Sequence, residues 1–302
     1  MTIYVVDGGG YIGRELVRRL AGSGQRVRAL VENAAEAAIV EAAGAEAVLA
    51  DRARAATFAD TLAGADTAML ITRHVPNLLE LEVQFIDAAK RAGVARIVKA
   101  SAFNAGLDQQ GAKLLHARAE EAIKRAGIQW TFLRPQFFMQ NVLWFADEIK
   151  TRGTISLAMK AGRVGMIDYR DIAAVAAKCL TEAGHESRIY NLSGPHLISM
   201  DDIAAALSRA LGTPVRYHDI STEEFRRYLL SMGWSSWHAD SMARSYEGMS
   251  KGASAVVTDD VQRVLGRAAT AFDQVARDYA DFFRPDGPRA TLTGYPHTGD
   301  NS

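Results

Sequence analysis

Three glycines near the start of the chain constrain its fold more than any other feature. Gly8, Gly10 and Gly13 form the pattern G-x-G-x-x-G, which follows the apolar run Ile3–Val6 and opens a helical pattern. In a βαβ unit the first two glycines allow a tight turn and let backbone N–H groups approach a pyrophosphate, and the third lets the helix pack on the strand. The context favours a dinucleotide-binding turn over the alternative, a glycine-rich turn without a ligand.

Strand-like apolar runs alternate with amphipathic helical patterns over the first half of the chain. The strands are predicted at Ile3–Val6, Val27–Val31, Ala47–Leu49, Ala68–Ile71, Ile97–Ala100 and Gln129–Leu133. The helices are predicted at Tyr11–Ala21, Ala34–Ala43, Thr57–Ala63, Leu78–Ala92 and Gly111–Ala126. This alternation is typical of a parallel sheet with right-handed crossovers, so we expect a Rossmann-type doubly wound α/β fold.

The pattern after Pro135 is less regular, and it predicts a smaller C-terminal α/β substrate region that intermingles with the first domain. Its expected elements are helices at Phe137–Thr151 and Asp171–Thr181, strands at Gly165–Asp168, Arg188–Leu192 and Tyr217–Ile220, and helices from Met200 onward. We expect a dinucleotide-binding domain over residues 1–150, the substrate region over 151–284 and a loose polar tail over 285–302.

Composition argues against several classes of partner. The chain carries 35 Lys and Arg against 35 Asp and Glu, so no net field draws it to nucleic acid or to an anionic membrane. No apolar run is long enough to span a bilayer, and the N-terminus lacks the pattern of a signal peptide. The single cysteine, Cys179, lies in an apolar helical pattern and is expected in the core. We expect a cytoplasmic protein, a monomer or a homodimer.

The second predicted strand ends at Glu32, about twenty residues after the glycine turn, where the adenosine ribose of a bound dinucleotide lies. A carboxylate there accepts hydrogen bonds from the ribose hydroxyls and repels a 2′-phosphate. This favours NAD(H) over NADP(H), unless Arg28 or Arg52 turns inward. The alternative for Glu32 is a solvated loop residue.

Further candidate cofactor residues lie in the glycine turn or after the carboxyl ends of strands, where open α/β sheets bind their ligands. They are Tyr11, Ile12, Asp51, Arg52, Thr72, Arg73, Ser101, Pro135 and Phe138. Ser101 follows the fifth strand and is also a candidate catalytic residue beside the nicotinamide. The alternative for Ser101 is a serine that caps the next turn.

Several segments together resemble the NmrA-like branch of the atypical short-chain dehydrogenases. They are Asp7–Gly13, Val98–Ala102, His116–Glu120, Leu133–Asn141, Ile167–Ala173, Leu192–Pro195 and Gly248–Gly266. That family includes bacterial quinone reductases and triphenylmethane dye reductases that use NAD(P)H, and redox-sensing regulators that bind the dinucleotide without turning it over. The resemblance implies an NAD(P)H-dependent reductase of a small conjugated acceptor, such as a quinone, an azo compound, a dye or a natural-product intermediate, with a non-catalytic sensor as the alternative.

The sequence departs from the family's pattern at three places. Asp7 stands where the family's turn, G-x-x-G-x-x-G, has its first glycine, and Glu32 stands where NADP-using members often have a basic residue. The tyrosine and lysine of ordinary short-chain dehydrogenases align with Ala112 and His116. The resemblance to the quinone and dye reductases, which have a histidine at this place, implies that His116 is a catalytic acid that donates a proton at neutral pH with an ordinary pKa of about 6.5, with water as the alternative donor.

His116 and Glu120 are four positions apart and share one helical face. The pair is consistent with a metal half-site, a surface pair, or a catalytic acid with its orienting carboxylate. Further ligands at suitable spacing are missing, so no metal is expected.

Four residues are predicted to line the pocket of a flat aromatic substrate. They are Phe137, Asn141, Trp144 and Trp234. The alternative is that aromatic residues at helical spacing belong to a core.

Overall fold

The computed structural model describes residues 1–51 and 54–288. Its strands are β1 (Thr2–Val5), β2 (Arg26–Val31), β3 (Glu46–Leu49), β4 (Thr67–Leu70), β5 (Arg96–Ala100), β6 (Gln129–Pro135), β7 (Thr154–Leu157), β8 (Arg188–Leu192) and β9 (Arg216–Asp219). Its α-helices are α1 (Tyr11–Gly22), α2 (Ala34–Ala42), α3 (Ala55–Thr61), α4 (Leu78–Arg91), α5 (Gly111–Ala126), α6 (Ala146–Arg152), α7 (Tyr169–Thr181), α8 (Met200–Leu211), α9 (Thr222–Ser231), α10 (Ser236–Ser250), α11 (Asp260–Leu265) and α12 (Phe272–Asp278).

The chain forms two compact units whose segments interleave. The first consists of Met1–Pro135, Tyr169–Leu192 and Asp260–Arg267. The second consists of Gln136–Asp168, Ser193–Asp259 and the described residues from Ala268 onward. The boundary expected at residue 150 falls inside the second unit, because the chain leaves the first unit as soon as β6 ends.

A parallel sheet organises the first unit. Its seven strands have the order β3-β2-β1-β4-β5-β6-β8, and every neighbouring pair is parallel. Ile3 of β1 lies opposite Val27 of β2 on one side and opposite Thr67 of β4 on the other. The order of the strands therefore reverses at β1, which is the switch point where such sheets bind ligands. The prediction of a Rossmann-type doubly wound fold is confirmed.

The strands of this sheet read as apolar runs because helices cover both faces. Tyr4, Leu30, Phe85, Ile97 and Phe132, which are all fully buried, belong to one core cluster. Such a sheet holds the carboxyl ends of its strands at one edge, and these ends position the candidate site.

The segment predicted as one helix over Phe137–Thr151 is divided. Met139–Phe145 forms a 3₁₀ helix, and α6 follows it directly. Six of the seven residues in the 3₁₀ segment are buried, so it lacks the one-sided apolar stripe of an amphipathic surface helix.

The strand predicted at Gly165–Asp168 is not formed as such. This region makes only isolated bridges, including one between Phe138 and Ile167. The second unit instead has a two-stranded parallel sheet in which β7 pairs with β9. The strand β9 corresponds to the strand predicted at Tyr217–Ile220. The strand β7 was missed because only two of its four residues, T-I-S-L, are apolar.

Cys179 is fully buried in α7, and burial raises the pKa of its thiol to about 12. The expectation that it is a core residue is confirmed. Among residues 1–51 and 54–288, no helix is both long and apolar enough to cross a membrane.

Candidate functional site

The glycine turn joins β1 to α1, and its geometry explains two of its glycines. A Cβ on Gly13 would collide with the backbone oxygen of Asp7, and a Cβ on Gly8 would lie 2.6 Å from the Cβ of Ala29. Asp7 itself has φ of 60°. Glycine adopts this left-handed conformation without penalty, and aspartate adopts it more readily than most residues. Asp7 therefore has the backbone conformation that a glycine would adopt at this position.

The amino end of α1 is suited to an anion. Gly10 is the N-cap of this 12-residue helix and has no side chain with which to cap the first amides. Helix N-termini attract anions through their N–H groups and the helix dipole. Ile12 is buried, and the ring of Tyr11 stacks on Tyr169 with 5.3 Å between centroids, so both side chains pack against the protein. The turn therefore fits the pyrophosphate of a dinucleotide.

Arg73 lies beside the turn among acidic side chains. Its Nη2 is 3.4 Å from Asp7 Oδ1 and 3.2 Å from Glu36 Oε1, and its Nη1 is 3.6 Å from Glu32 Oε2. Glu36 also accepts the backbone N–H of Glu32 at 2.9 Å. Both Glu32 and Arg73, which were predicted as cofactor residues, thus lie next to the turn, together with two carboxylates that were not predicted.

Arg28, which could have reversed the preference for NAD(H), and the predicted cofactor residue Asp51 have other partners. Arg28 donates to Glu46 at 3.0 Å and to the carbonyl of Ala63 at 2.8 Å. It therefore does not turn inward to Glu32. The carbonyl of Asp51 accepts from the hydroxyl of Thr57 at 2.8 Å, and Arg52 lies outside the described residues.

Lys99 on β5 is a fully buried cation at the carboxyl edge of the sheet. Its Nζ lies 2.6 Å from Glu82 Oε1, 3.1 Å from the carbonyl oxygen of Ala100 and 3.1 Å from His116 Nδ1. An ammonium has three N–H donors and no acceptor, so these three partners use all of them. Nδ1 of His116 must therefore accept, and the ring proton of the neutral imidazole lies on Nε2.

The environment of His116 changes its protonation. Burial, the charge of Lys99 and the neighbouring His74 lower its pKa well below the ordinary value of 6.5. The expectation of an imidazolium that donates a proton at neutral pH is therefore wrong, because the sequence alone shows neither the burial nor the ammonium. At neutral pH the His116 ring is therefore neutral, and its Nε2–H is available as a hydrogen-bond donor.

Glu82 completes this buried chain of polar groups. Burial raises the pKa of its carboxyl, and both Lys99 and a hydrogen bond from Thr72 oppose that rise. Thr72 was predicted as a cofactor residue, and its side chain forms a hydrogen bond with Glu82.

Ser101 and Glu120 form a second polar group next to the first. The Ser101 hydroxyl donates to Glu120 Oε1 at 2.6 Å, and Arg134 Nε donates to the same oxygen at 3.0 Å. Glu120 therefore orients Ser101 and not His116, although the two helical residues share a face. Within residues 1–51 and 54–288, no group of three potential metal ligands occurs.

The residues predicted to line a substrate pocket all belong to the second unit. Trp144 and Trp234 are buried in its core and pack edge to face, with 5.1 Å between ring centroids. Phe137, which is half-buried, packs edge to face on Tyr246 at 5.3 Å. The two tryptophans therefore pack in a core, as in the alternative to a substrate pocket. Asn141 and Phe137 keep part of their surface exposed.

The last two predicted cofactor residues lie close together in the chain. Pro135 ends β6, and its carbonyl accepts the N–H of Phe103 at 3.1 Å. Phe138 is half-buried in the second unit, where it bridges to Ile167.

Sequence reasoning missed Lys99 and Glu82, although both left a signal. Lys99 stands inside the apolar strand R-I-V-K-A, and charged residues are rarely buried in a parallel sheet without a partner. Glu82 lies four positions after Leu78 and three before Phe85, on the apolar face of α4. A charge at each of these two positions indicates a buried pair.

The chain is similar to known proteins over most of its length. A model of the NmrA-like family matches residues 1–274. The NAD(P)H azoreductase of Xenophilus azovorans is 37% identical over 284 residues, which are 93% of this chain and 99% of that protein. The NADPH-dependent quinone oxidoreductase of Escherichia coli in complex with NADPH has a TM-score of 0.82 and 27% identity, and the match covers 91% and 99% of the two chains. The triphenylmethane reductase of Citrobacter sp. in complex with NADP(H) has a TM-score of 0.81 and 25% identity over 92% and 99%.

Proposed function

Because the chain belongs to the NmrA-like family, we propose that it is an NAD(P)H-dependent reductase that transfers a hydride to a small conjugated acceptor such as a quinone, an azo compound or a dye. The observation that carries the proposal is the glycine turn, which presents the uncapped amino end of α1 at the switch point of the sheet. The activities named for the azoreductase and the quinone oxidoreductase support the same class of reaction.

A bound dinucleotide would supply the hydride, and a quinone or dye would take up the resulting charge in its own conjugated system. The protein must therefore orient the reactants and stabilise charge. His116 is suited to the second task, because Lys99 fixes its proton on Nε2. A neutral imidazole then donates a hydrogen bond to an atom that becomes negative. Ser101 has its own proton committed to Glu120 and therefore accepts a hydrogen bond from a ligand.

Steady-state oxidation of NADH and NADPH tests the proposal with a panel of a quinone, an azo dye, a triphenylmethane dye and a less activated carbonyl compound. Turnover that depends on one of the conjugated acceptors supports a reductase. Tight dinucleotide binding without turnover of any acceptor supports the sensor alternative.

We expect NAD(H) to bind more tightly than NADP(H), by on the order of tenfold. Glu32 and Glu36 lie together beside the turn, so a 2′-phosphate would meet two carboxylates. Isothermal titration calorimetry with both dinucleotides measures the ratio, and Glu32→Arg should shift it toward NADP(H). Glu41→Arg, at an exposed position near the end of α2, is the matched control and should leave the ratio unchanged. A clear preference of the wild type for NADP(H) would contradict this prediction.

His116→Ala should lower turnover of the less activated carbonyl compound about a hundredfold and affect a quinone little, because a quinone stabilises its own charge. The lowered pKa of His116 sets the pH dependence. The donating form is the neutral ring, which is present above that pKa and is lost as the pH falls through it. The wild-type rate should therefore show no loss between pH 8 and pH 6 that is due to this residue.

Nitrogen-15 NMR of the histidine rings provides the control. The His116 signals should show a proton on Nε2 throughout this pH range, with the exposed His196 as a reference in the same molecule. A His116 ring that becomes doubly protonated near pH 6.5, or equal losses of turnover for both acceptors, would refute this role.

A further inference from the structure

Asp7, Glu36 and Arg73 form a charged cluster that lies directly on the glycine turn. A Cβ added to Gly10 would meet the carboxylate of Asp7, and a Cβ added to Gly9 would meet the side chain of Glu36. The two carboxylates thus lie against Gly9 and Gly10 of the turn. Gly10 is one of the glycines whose backbone is expected to approach the pyrophosphate of a dinucleotide.

The guanidinium of Arg73 is incompletely satisfied within this cluster. Its Nη2 is shared between Asp7 and Glu36 at 3.4 and 3.2 Å, distances that are long for charge-assisted hydrogen bonds. Its Nε is buried and has no hydrogen-bond partner in the described part of the chain. A buried donor without a partner is costly and calls for an explanation, one of which is a bound ion. Arg73 therefore has the capacity to bind a further anion.

The local charges oppose that anion. Asp7, Glu32 and Glu36 bring three negative charges around one positive charge. A pyrophosphate adds more negative charge at short range, where like charges that are partly shielded from water repel strongly. A dinucleotide can bind well only if Arg73 exchanges carboxylates for phosphate oxygens, or if the carboxylates turn away from the glycines.

We propose that Arg73 binds the pyrophosphate of the dinucleotide. Before the dinucleotide binds, Asp7 and Glu36 hold the guanidinium of Arg73, and these two carboxylates lower the affinity of the protein for its dinucleotide. The proposal rests on the proposed function, because it requires the dinucleotide to occupy the glycine turn. Asp7 is central to it. Glycine would give the same left-handed backbone without a charge, so the aspartate adds a repulsion that the fold of the turn does not need.

The test is the dissociation constant of NADH, measured by isothermal titration calorimetry at low and at moderate ionic strength. Asp7→Asn and Asp7→Gly should each tighten binding by on the order of tenfold at low salt, and Glu36→Gln should tighten it in the same direction. The difference from the wild type should shrink as salt is added, because salt screens the repulsion. Arg73→Met should weaken binding in the wild type and also in the Asp7→Asn background.

Glu41→Gln is the matched control, since it removes one carboxylate from an exposed position further along α2, and it should leave the dissociation constant unchanged. Asp7→Asn separates charge from backbone shape, because asparagine keeps the size of the side chain. Equal affinities of the wild type, Asp7→Asn and Asp7→Gly, or unchanged binding in Arg73→Met, would overturn the inference and leave the proposed function intact. If neither NADH nor NADPH binds to any folded variant, the proposed function fails as well.

Discussion

Replacement of Lys99 by methionine is expected to lower the free energy of unfolding by about 3–5 kcal/mol. The side chains of Lys99 and Glu82 are both 0% exposed, and their charged atoms lie 2.6 Å apart. Methionine fills a similar volume but leaves the Glu82 carboxylate buried without its cation, and such a group is far costlier than an empty apolar site. Urea denaturation followed by circular dichroism measures the loss.

The loss should depend on pH in a defined direction. Burial already raises the pKa of Glu82, and Lys99 is the main group that opposes the rise. In the variant the folded protein binds the Glu82 proton more tightly than the unfolded chain does. The destabilisation should therefore be greatest well above the pKa of the folded state and should shrink as the pH falls through it.

Two further variants test the cause of this loss. The double variant Lys99→Met, Glu82→Leu removes both charges and should recover most of the stability, because an apolar pair of similar volume often replaces a buried ion pair at little cost. Lys251→Met breaks an exposed pair in which the lysine is 70% exposed, and it should change stability by less than about 0.5 kcal/mol. A similar loss in Lys99→Met and Lys251→Met would show that burial of the pair is not the cause.

The fold could be predicted because its signals are local. Each strand of the first unit is a short apolar run, each helix has a periodic face, and the glycines of the turn stand at fixed spacings. The errors occurred where the pattern is weakly apolar or uniform. Only two of the four residues of β7 are apolar, and the 3₁₀ segment Met139–Phe145 is buried on nearly every side. In both cases packing within the second unit decides the conformation, and a local pattern does not contain that information.

The chemistry of the candidate site depends on contacts between residues that are distant in sequence. Arg73 reaches Asp7 across 66 positions, and Lys99 reaches both Glu82 and His116 across 17. The sequence suggested His116, Ser101 and Arg73 as site residues, and the structure places all three near the carboxyl edge of the sheet. It could not show that His116 is neutral, because that follows from an ammonium and from burial, neither of which its own helix reveals.

Gly10→Val is expected to weaken dinucleotide binding at least about a hundredfold while the protein stays folded. A valine side chain at the N-cap of α1 would stand between the pyrophosphate and the backbone N–H groups at the amino end of the helix. The fold should tolerate it, because the first atoms it meets belong to the end of the Asp7 side chain, which can move. Calorimetry with NADH measures the affinity, and circular dichroism measures the fold.

Two other glycines serve as controls, and together they separate binding from folding. Gly22 is exposed at the end of α1, with nothing within 4 Å of an added Cβ, so Gly22→Val should leave the dissociation constant unchanged. Gly13→Ala should instead destabilise the protein, because its Cβ would strike the backbone oxygen of Asp7, which cannot move without distorting β1 and the turn. Unchanged NADH affinity in a folded Gly10→Val variant would place the dinucleotide away from this turn, and the assignment of Gly8, Gly10 and Gly13 as its cradle would then be wrong.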